Sequence, residues 1–318
     1  MTTPILVVDR VTKRFANHLA VDALSLQVPR GAIFGLLGPN GAGKTTTIRM
    51  IMNVLAPDEG SIRLFEGRGT ARDYSARIGF LPKERGLYPK MRVLDVLLFL
   101  AAIKGVDRAV ARPKALAWLE RLGLADWRMR RVSDLSKGMQ QKVQFISTLL
   151  HEPELVLLDE PFAGLDPVNA DLMLETVLDL HRRGGTILFS THIMEQAEKL
   201  CDHVCIIARG RKLVDDTLGR VKQTIGGRHV AVEFDGMRGE AAQVFADRRL
   251  VGKVADFGQY AELELAGAAD AQEVLRALVG SGARLTRFEL TAPSLHKIFV
   301  DLVGPEAVRA EARERPRA

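Results

Sequence analysis

The densest chemistry in the chain lies at Gly38-Pro39-Asn40-Gly41-Ala42-Gly43-Lys44-Thr45, with Thr46 directly after. Glycines at this spacing let the backbone turn sharply and bring its N–H groups close to a ligand. A helix starting near Lys44 would point its N-terminus at the same place, which suits an anion. Lys44 is expected to bridge the outer phosphates of a nucleoside triphosphate, and the Thr45 hydroxyl to hold Mg²⁺. A second string, Leu155-Val156-Leu157-Leu158-Asp159-Glu160, sets two acids behind four apolar residues. Asp159 is expected to reach the Mg²⁺ through water, and Glu160 to orient or deprotonate the attacking water. Either string alone has a bland reading, a structural loop or a turn. Together they predict triphosphate hydrolysis.

Such residues need a rigid frame. Ile33-Phe34-Gly35-Leu36-Leu37 reads as a buried strand running into the glycine-rich turn, and a helix from Lys44 to about Asn53 follows. Leu155–Leu158, Thr186–Ser190 and Val204–Ile207 read as further strands, with helices over Leu172–Arg182 and Ile193–Leu200 between them. Alternation of this kind predicts a doubly wound α/β core, that of a P-loop NTPase. Ile5–Val8 and Leu24–Val28 alternate as strands ahead of it. Residues 91–150 change character: Val93–Lys104, Pro113–Leu122 and Lys137–Leu150 read as a helical insertion.

Ile225-Gly226-Gly227 reads as a boundary, giving an ATP-binding domain over 1–227 and a small α+β domain over 228–303. In the latter, strands at Val230–Phe234, near Val254 and Leu263, and at Leu285–Leu290 are interleaved with helices at Ala241–Arg248, Gln272–Gly280 and Ser294–Leu302. Residues 304–318, rich in Ala, Arg and Glu, read as a frayed tail.

The whole chain has 318 residues, 47% hydrophobic and 26% charged, as in an ordinary globular protein. Its net charge of +6 owes part to Arg309, Arg313, Arg315 and Arg317 in the tail. Two cysteines exclude a disulfide scaffold and point to a reducing compartment. Cys201-Asp202-His203-Val204-Cys205 could suggest a metal, but residues so crowded before Ile206-Ile207 suit alternate faces of a strand better. No secretory leader is read at the N-terminus. The longest apolar run, Val93–Ile103, is broken by Asp95 and too short to span a bilayer. A membrane role therefore has to act through a partner.

Four further strings fix the class. Leu135-Ser136-Lys137-Gly138-Met139-Gln140-Gln141 opens the helix that precedes the Glu160 strand. On its own, Ser136 is an ordinary helix cap. Ala163-Gly164-Leu165-Asp166 follows Glu160, Ser190-Thr191-His192 follows a strand, and Lys13-Arg14-Phe15 offers an aromatic. In this order the motifs resemble the nucleotide-binding domains of ABC transporters over about residues 4–225. The departures from the usual Leu-Ser-Gly-Gly-Gln are Lys137 for the first glycine and Met139 before the glutamines.

The resemblance implies that Ser136, Lys137, Gly138, Met139 and Gln140 face ATP held by an opposite subunit. It further implies that Asp166 is the D-loop acid, that His192 senses the γ-phosphate and that Phe15 stacks on adenine. It implies ATP and Mg²⁺, a homodimer or paired ATPase subunit, separate transmembrane permease subunits and a cytoplasmic, peripheral place on the inner face of the cell membrane. No nucleic-acid partner is expected. Soluble ABC ATPases of DNA repair, which carry long coiled coils, and translation-associated ones, which carry two cassettes, remain the alternative.

Phe80-Leu81-Pro82-Lys83-Glu84-Arg85-Gly86-Leu87-Tyr88-Pro89 is similar to an exporter subgroup of sodium and drug efflux ATPases. So is the C-terminal extension ending Pro293-Ser294-Leu295-His296-Lys297-Ile298-Phe299. Most relatives have Gln where this chain has Lys83, and a lysine cannot ligate a cation. Three placements are open: Lys83 turns to the γ-phosphate, Glu84 supplies an oxygen from a shifted loop, or the position stays outside and water completes the Mg²⁺ shell. The third is the expectation.

Overall fold

A computed structural model describes residues 3–16, 18–67, 69–84, 86–225, 228–235, 238–267 and 269–304. The chain divides into two compact units, one comprising Met1–Thr217 together with the C-terminal stretch from Val303, the other Leu218–Leu302.

The first unit opens with a long hairpin, β1 (Pro4–Phe15) and β2 (His18–Pro29), then β3 (Ile33–Leu37), α1 (Lys44–Ile51), β4 (Glu59–Leu64) and β5 (Ile78–Leu81). The helices α2 (Val93–Ile103), α3 (Arg108–Arg121) and α4 (Lys137–Leu149) form the insertion. The chain returns through β6 (Leu155–Asp159), α5 (Pro167–Arg182), β7 (Thr186–Thr191), α6 (Met194–Leu200), β8 (His203–Ala208) and β9 (Arg211–Thr217). One sheet is antiparallel, ordered β2-β1-β4; the other has six strands ordered β5-β6-β7-β3-β8-β9. In the larger sheet β5, β6, β7, β3 and β8 run parallel, and β9 adds antiparallel at the edge.

Every residue of β3, β6 and β7 is buried. Parallel strands covered on both faces need unbroken apolar runs, and the sequences IFGLL, LVLLD and TILFST supply them. Phe34, Leu36, Leu157 and Leu188 from these strands share a core with Ile48 and Ile51 of α1, which pins α1 to the sheet. Emptying one such leucine site costs roughly 2–5 kcal/mol.

Two helices begin earlier than their hydrophobic pattern predicts, each because an aspartate caps it. Asp107 accepts from Ala109 N at 2.6 Å, so α3 starts at Arg108 and carries Pro113 inside it rather than at its start. Asp166 accepts from Asn169 N at 3.0 Å, so α5 starts at Pro167 rather than Leu172. Capping of this kind stabilises a helix by about 1 kcal/mol. The strands β4 and β9 escape sequence reading because they are largely exposed and lack an alternating apolar face.

The second unit contains α7 (Leu218–Thr224), β10 (His229–Phe234), α8 (Ala242–Ala246), β11 (Val251–Asp256), β12 (Tyr260–Leu265), α9 (Ala271–Gly280), β13 (Leu285–Thr291) and α10 (Leu295–Val303). Its sheet is antiparallel, ordered β11-β12-β10-β13. The order of elements from β10 to β13, strand-helix-strand-strand-helix-strand, with each βαβ pair split by a strand from the other, is the ferredoxin-like arrangement. Val230, Val232, Leu263, Val274 and Leu278 form its core.

The units divide at Thr217/Leu218, not at the 227/228 boundary the glycine pair implies. The chain leaves the large sheet at the end of β9, and α7 clusters with the second unit. Gly226-Gly227 and the tail beyond Gly304 lie outside the described residues.

Candidate active site

The phosphate-type loop joins β3 to α1. Gly43 precedes α1 at φ 103°, and α1 has no side-chain cap, so its first N–H groups face the loop. Only glycine suits this position, because a Cβ there would stand 2.5 Å from Ala20 O. At Gly38 a Cβ would meet Ile207 O at 2.2 Å, so β8 packs directly against the loop's entry. Lys44 is buried, with Nζ donating to Gly38 O at 2.7 Å and Pro39 O at 3.0 Å.

The two acids at the end of β6 do not sit beside β3. Strand β7 lies between, Asp159 being level with Ser190 and Leu37 with Thr191. Ser190 therefore becomes the tie across the site, a role the sequence reading missed. Its hydroxyl donates to Asp159 Oδ1 at 2.5 Å and accepts from Glu160 N at 3.0 Å. Glu160 has φ 51°, an uncommon conformation for a non-glycine residue, which this hydrogen bond helps to hold. The only hint in the sequence is a hydroxyl closing the apolar run of β7.

Thr45 Oγ1 donates to the same Asp159 oxygen at 3.2 Å. A hydroxyl and a carboxylate converging beside the phosphate loop are the hard oxygen donors that suit Mg²⁺, which keeps most of its remaining shell as water and phosphate. Among the described residues no cluster of three or more His, Cys, Asp or Glu could hold a metal by itself. Burial pushes the Asp159 carboxyl above the usual range; the Ser190 and Thr45 hydroxyls offset this only in part.

Glu160 is placed between His192 and Lys44. His192 Nδ1 lies 3.0 Å and 2.9 Å from its two carboxylate oxygens, and Lys44 Nζ lies 3.5 Å from Oε1. Burial works to raise this carboxyl, but the His192 hydrogen bond and the charges of Lys44, His192 and Lys83 outweigh it, and the group lies below the usual glutamate range. Two neighbouring acids are thus pushed in opposite directions. The arrangement favours an ionised Glu160, and a cation beside Asp159 would offset the burial of its carboxylate.

Lys44, Thr45, Asp159, Glu160 and His192 are thus brought together. Residues 38–43 and Thr46 form the loop and first turn beside them, and the other candidates stand outside this cluster. Ser136 caps α4, accepting from Met139 N at 3.3 Å, and Gln140 donates to Val132 O and Leu135 O. Lys137 opens α4, and Gly138 faces Leu165 of the D-loop string, whose Cδ2 would lie 3.4 Å from an added Cβ. Asp166 caps α5. Phe15 is 43% exposed at the end of β1, with Lys13 Nζ 5.8 Å from its ring. Lys83 is exposed beyond β5. In the Cys201–Cys205 string both thiols are buried and pushed up by burial, and His203 pairs with Asp215 at 2.8 Å.

A strand, a glycine loop with a buried lysine, and acids ending a strand one removed from it in a mixed α/β sheet define a P-loop NTPase. Residues 21–163 match the family described as ABC transporter, and residues 217–303 match the ATP-binding protein DrrA1-3-like C-terminal domain. The ABC transporter ATP-binding protein YhaQ of Bacillus subtilis (strain 168) is 44% identical over 300 residues, covering 94% of this chain and 99% of YhaQ. The Nod factor export ATP-binding protein I of Paraburkholderia xenovorans (strain LB400) is 41% identical over 209 residues, covering 65% of this chain and 69% of that one. A solved ATP-binding subunit of an ABC transporter superposes with a TM-score of 0.65 at 30% identity, covering 70% of this chain and 93% of that one. The chain belongs to the ABC transporter ATP-binding proteins. It binds and hydrolyses ATP to power transport through a separate membrane-spanning partner. Among the described residues no helix is long and apolar enough to cross a membrane.

Proposed function

We propose that this chain is the ATPase of an exporter, that two copies close over two Mg²⁺–ATP, and that its insertion helices carry the closure to a permease at the inner face of the cell membrane. The observation that carries the reading is the Lys44–Glu160–His192 cluster beside the Thr45–Asp159 oxygen pair. In this reading Lys44 leaves Gly38 O and Pro39 O for the outer phosphate oxygens. Thr45 and Asp159 hold Mg²⁺, which neutralises charge on the phosphates when bound. Glu160, steadied by His192, takes the proton of the water whose oxygen forms the new bond to the terminal phosphorus. The bond from that phosphorus to the bridging oxygen breaks, and ADP keeps the electron pair.

Ser136 and the α4 N-terminus suit the terminal phosphate of a facing copy's ATP. Gly138 beside Leu165 supports a shared role for the signature and D-loop strings at that edge. An export direction is supported by the likeness to a Nod factor export protein. Docking of the membrane-spanning partner on the insertion is supported by exposed apolar side chains there. Phe99, Ile103 and Met129 are 42%, 62% and 54% exposed, and Phe99 meets Tyr88, just ahead of the insertion, edge-on at 5.5 Å. Light scattering tests the two-copy reading. The mass of Glu160→Gln should double on adding ATP, and a mass unchanged by ATP overturns it.

A further inference from the structure

Lys83 lies two residues beyond the end of β5, which pairs in parallel with β6 and sets Leu81 level with Leu158. Glu160 directly follows β6, so Lys83 and Glu160 leave the sheet from adjacent parallel strands at the same end. The loop around it is held on both sides. Thr148 Oγ1 of α4 donates to Phe80 O at 3.3 Å, and Gln144 Nε2 donates to Glu84 O at 3.2 Å. Arg49, on the helix that begins in the phosphate loop, pairs with Glu84 at 2.6 Å. That hydrogen bond holds the Glu84 carboxyl below its usual range. Glu84 is therefore turned to Arg49 through Oε1.

Lys83 is exposed and has no hydrogen-bond or ion-pair partner among the described residues. Its charge is nonetheless felt at Asp159 and at Glu160, and lowers both. It stands at the same end of the sheet as the Asp159–Glu160 pair, beyond the strand next to β6, whereas the buried Lys44 comes from the loop after β3. An ammonium has three donors and no acceptor, so beside a metal it is repelled, whereas phosphate oxygens suit it.

We propose that Lys83 is a second phosphate-directed lysine that meets the terminal phosphate of bound ATP from the β5 side. Of the three placements open from sequence, this is the first. It rests on reading the Lys44–Glu160 cluster as the phosphate site. Because Lys83 carries positive charge to the phosphate that Mg²⁺ otherwise neutralises, ATP binding by this chain tolerates loss of divalent metal. ADP lacks the phosphate that Lys83 reaches and gains nothing from it.

Calorimetric titration of the full chain with ATP and with ADP, in EDTA at low salt, tests this. The variants are Lys83→Gln, Lys83→Arg and Lys44→Ala. Losing one charge-assisted contact predicts about tenfold weaker metal-free ATP binding in Lys83→Gln, with ADP binding unchanged and Lys83→Arg restoring most of the loss. Excess Mg²⁺ should shrink the difference. Equal ATP affinity of wild type and Lys83→Gln in EDTA overturns the proposal, as does equal weakening of ATP and ADP, or a wild type with no measurable metal-free binding. Unchanged ATP binding in Lys44→Ala would instead overturn the phosphate-site reading on which the proposal stands.

Discussion

Replacing Glu160 by Gln removes one charge and almost no volume from a buried cluster. The Lys44 and Glu160 side chains are 5% and 3% exposed with their charges 3.5 Å apart. At an effective dielectric of about 20, such a pair attracts by on the order of 4–5 kcal/mol before desolvation is counted. An incoming triphosphate has to draw Lys44 away from that carboxylate and also faces the carboxylate's own negative charge. Glutamine keeps an oxygen for His192 but relieves both penalties, so ATP should bind more tightly. The proton acceptor is lost at the same time, which predicts a hydrolysis rate lower by roughly 10²–10⁴-fold, about 3–5 kcal/mol of barrier. Single-turnover hydrolysis of labelled ATP by the purified chain measures the rate, and calorimetry the affinity. Because Glu160 is held below the usual glutamate range, wild-type activity should persist into acid and fall only as pH drops through that lowered value. The variant should show no such limb. A rate within about threefold of wild type, less than 1 kcal/mol of barrier, would refute Glu160 as the group acting on water.

Three further outcomes are expected. In a mixed dimer with Ser136→Arg on one chain and Lys44→Ala on the other, one composite site stays intact and should trap ATP; trapping in neither site speaks against shared sites. Burial raises the Asp159 carboxyl, so without metal the folded chain loses stability as pH climbs from the usual aspartate value through that raised one. Asp159→Asn should therefore raise the metal-free melting temperature near neutral pH, by roughly 2–4 °C for each kcal/mol relieved, while weakening stabilisation by Mg²⁺–ATP, and an unchanged or lower metal-free melting point counts against this. A chain ending at Thr217 should keep nucleotide affinity within about twofold, since compact units commonly fold alone. A folded truncation that binds no ATP would show that the second unit completes the site.

The phosphate loop was legible because its chemistry leaves few choices: close backbone approach at Gly38 and a positive φ at Gly43 demand glycine, and the lysine follows at fixed spacing. The acids of β6 were legible because a buried strand cannot end in Asp-Glu without partners. Ser190 was not, because its role depends on β7 lying between β6 and β3, and strand order is set by packing of non-neighbouring segments. Asp107 and Asp166 show a different limit. A polar cap lies outside the apolar period that marks a helix, so the apolar pattern alone starts these helices a turn late. Gly226-Gly227 misled in the opposite sense, since glycines mark a turn and only tertiary contacts mark a unit.

The edge position of β5 bears on how motion is distributed. Among the described strands β5 pairs with β6 alone, whereas β3 is flanked by β7 and β8. In hydrogen-exchange terms the amides of β3 should be among the last to exchange and those of β5 among the first, because an edge strand opens without breaking a second ladder. Thr148 and Gln144 of α4 grip the chain at that same edge. A pull on α4 from outside the site can therefore peel the Lys83 loop while the phosphate cradle stays shut. Displacement thus costs least at the margin of the sheet and most at its centre.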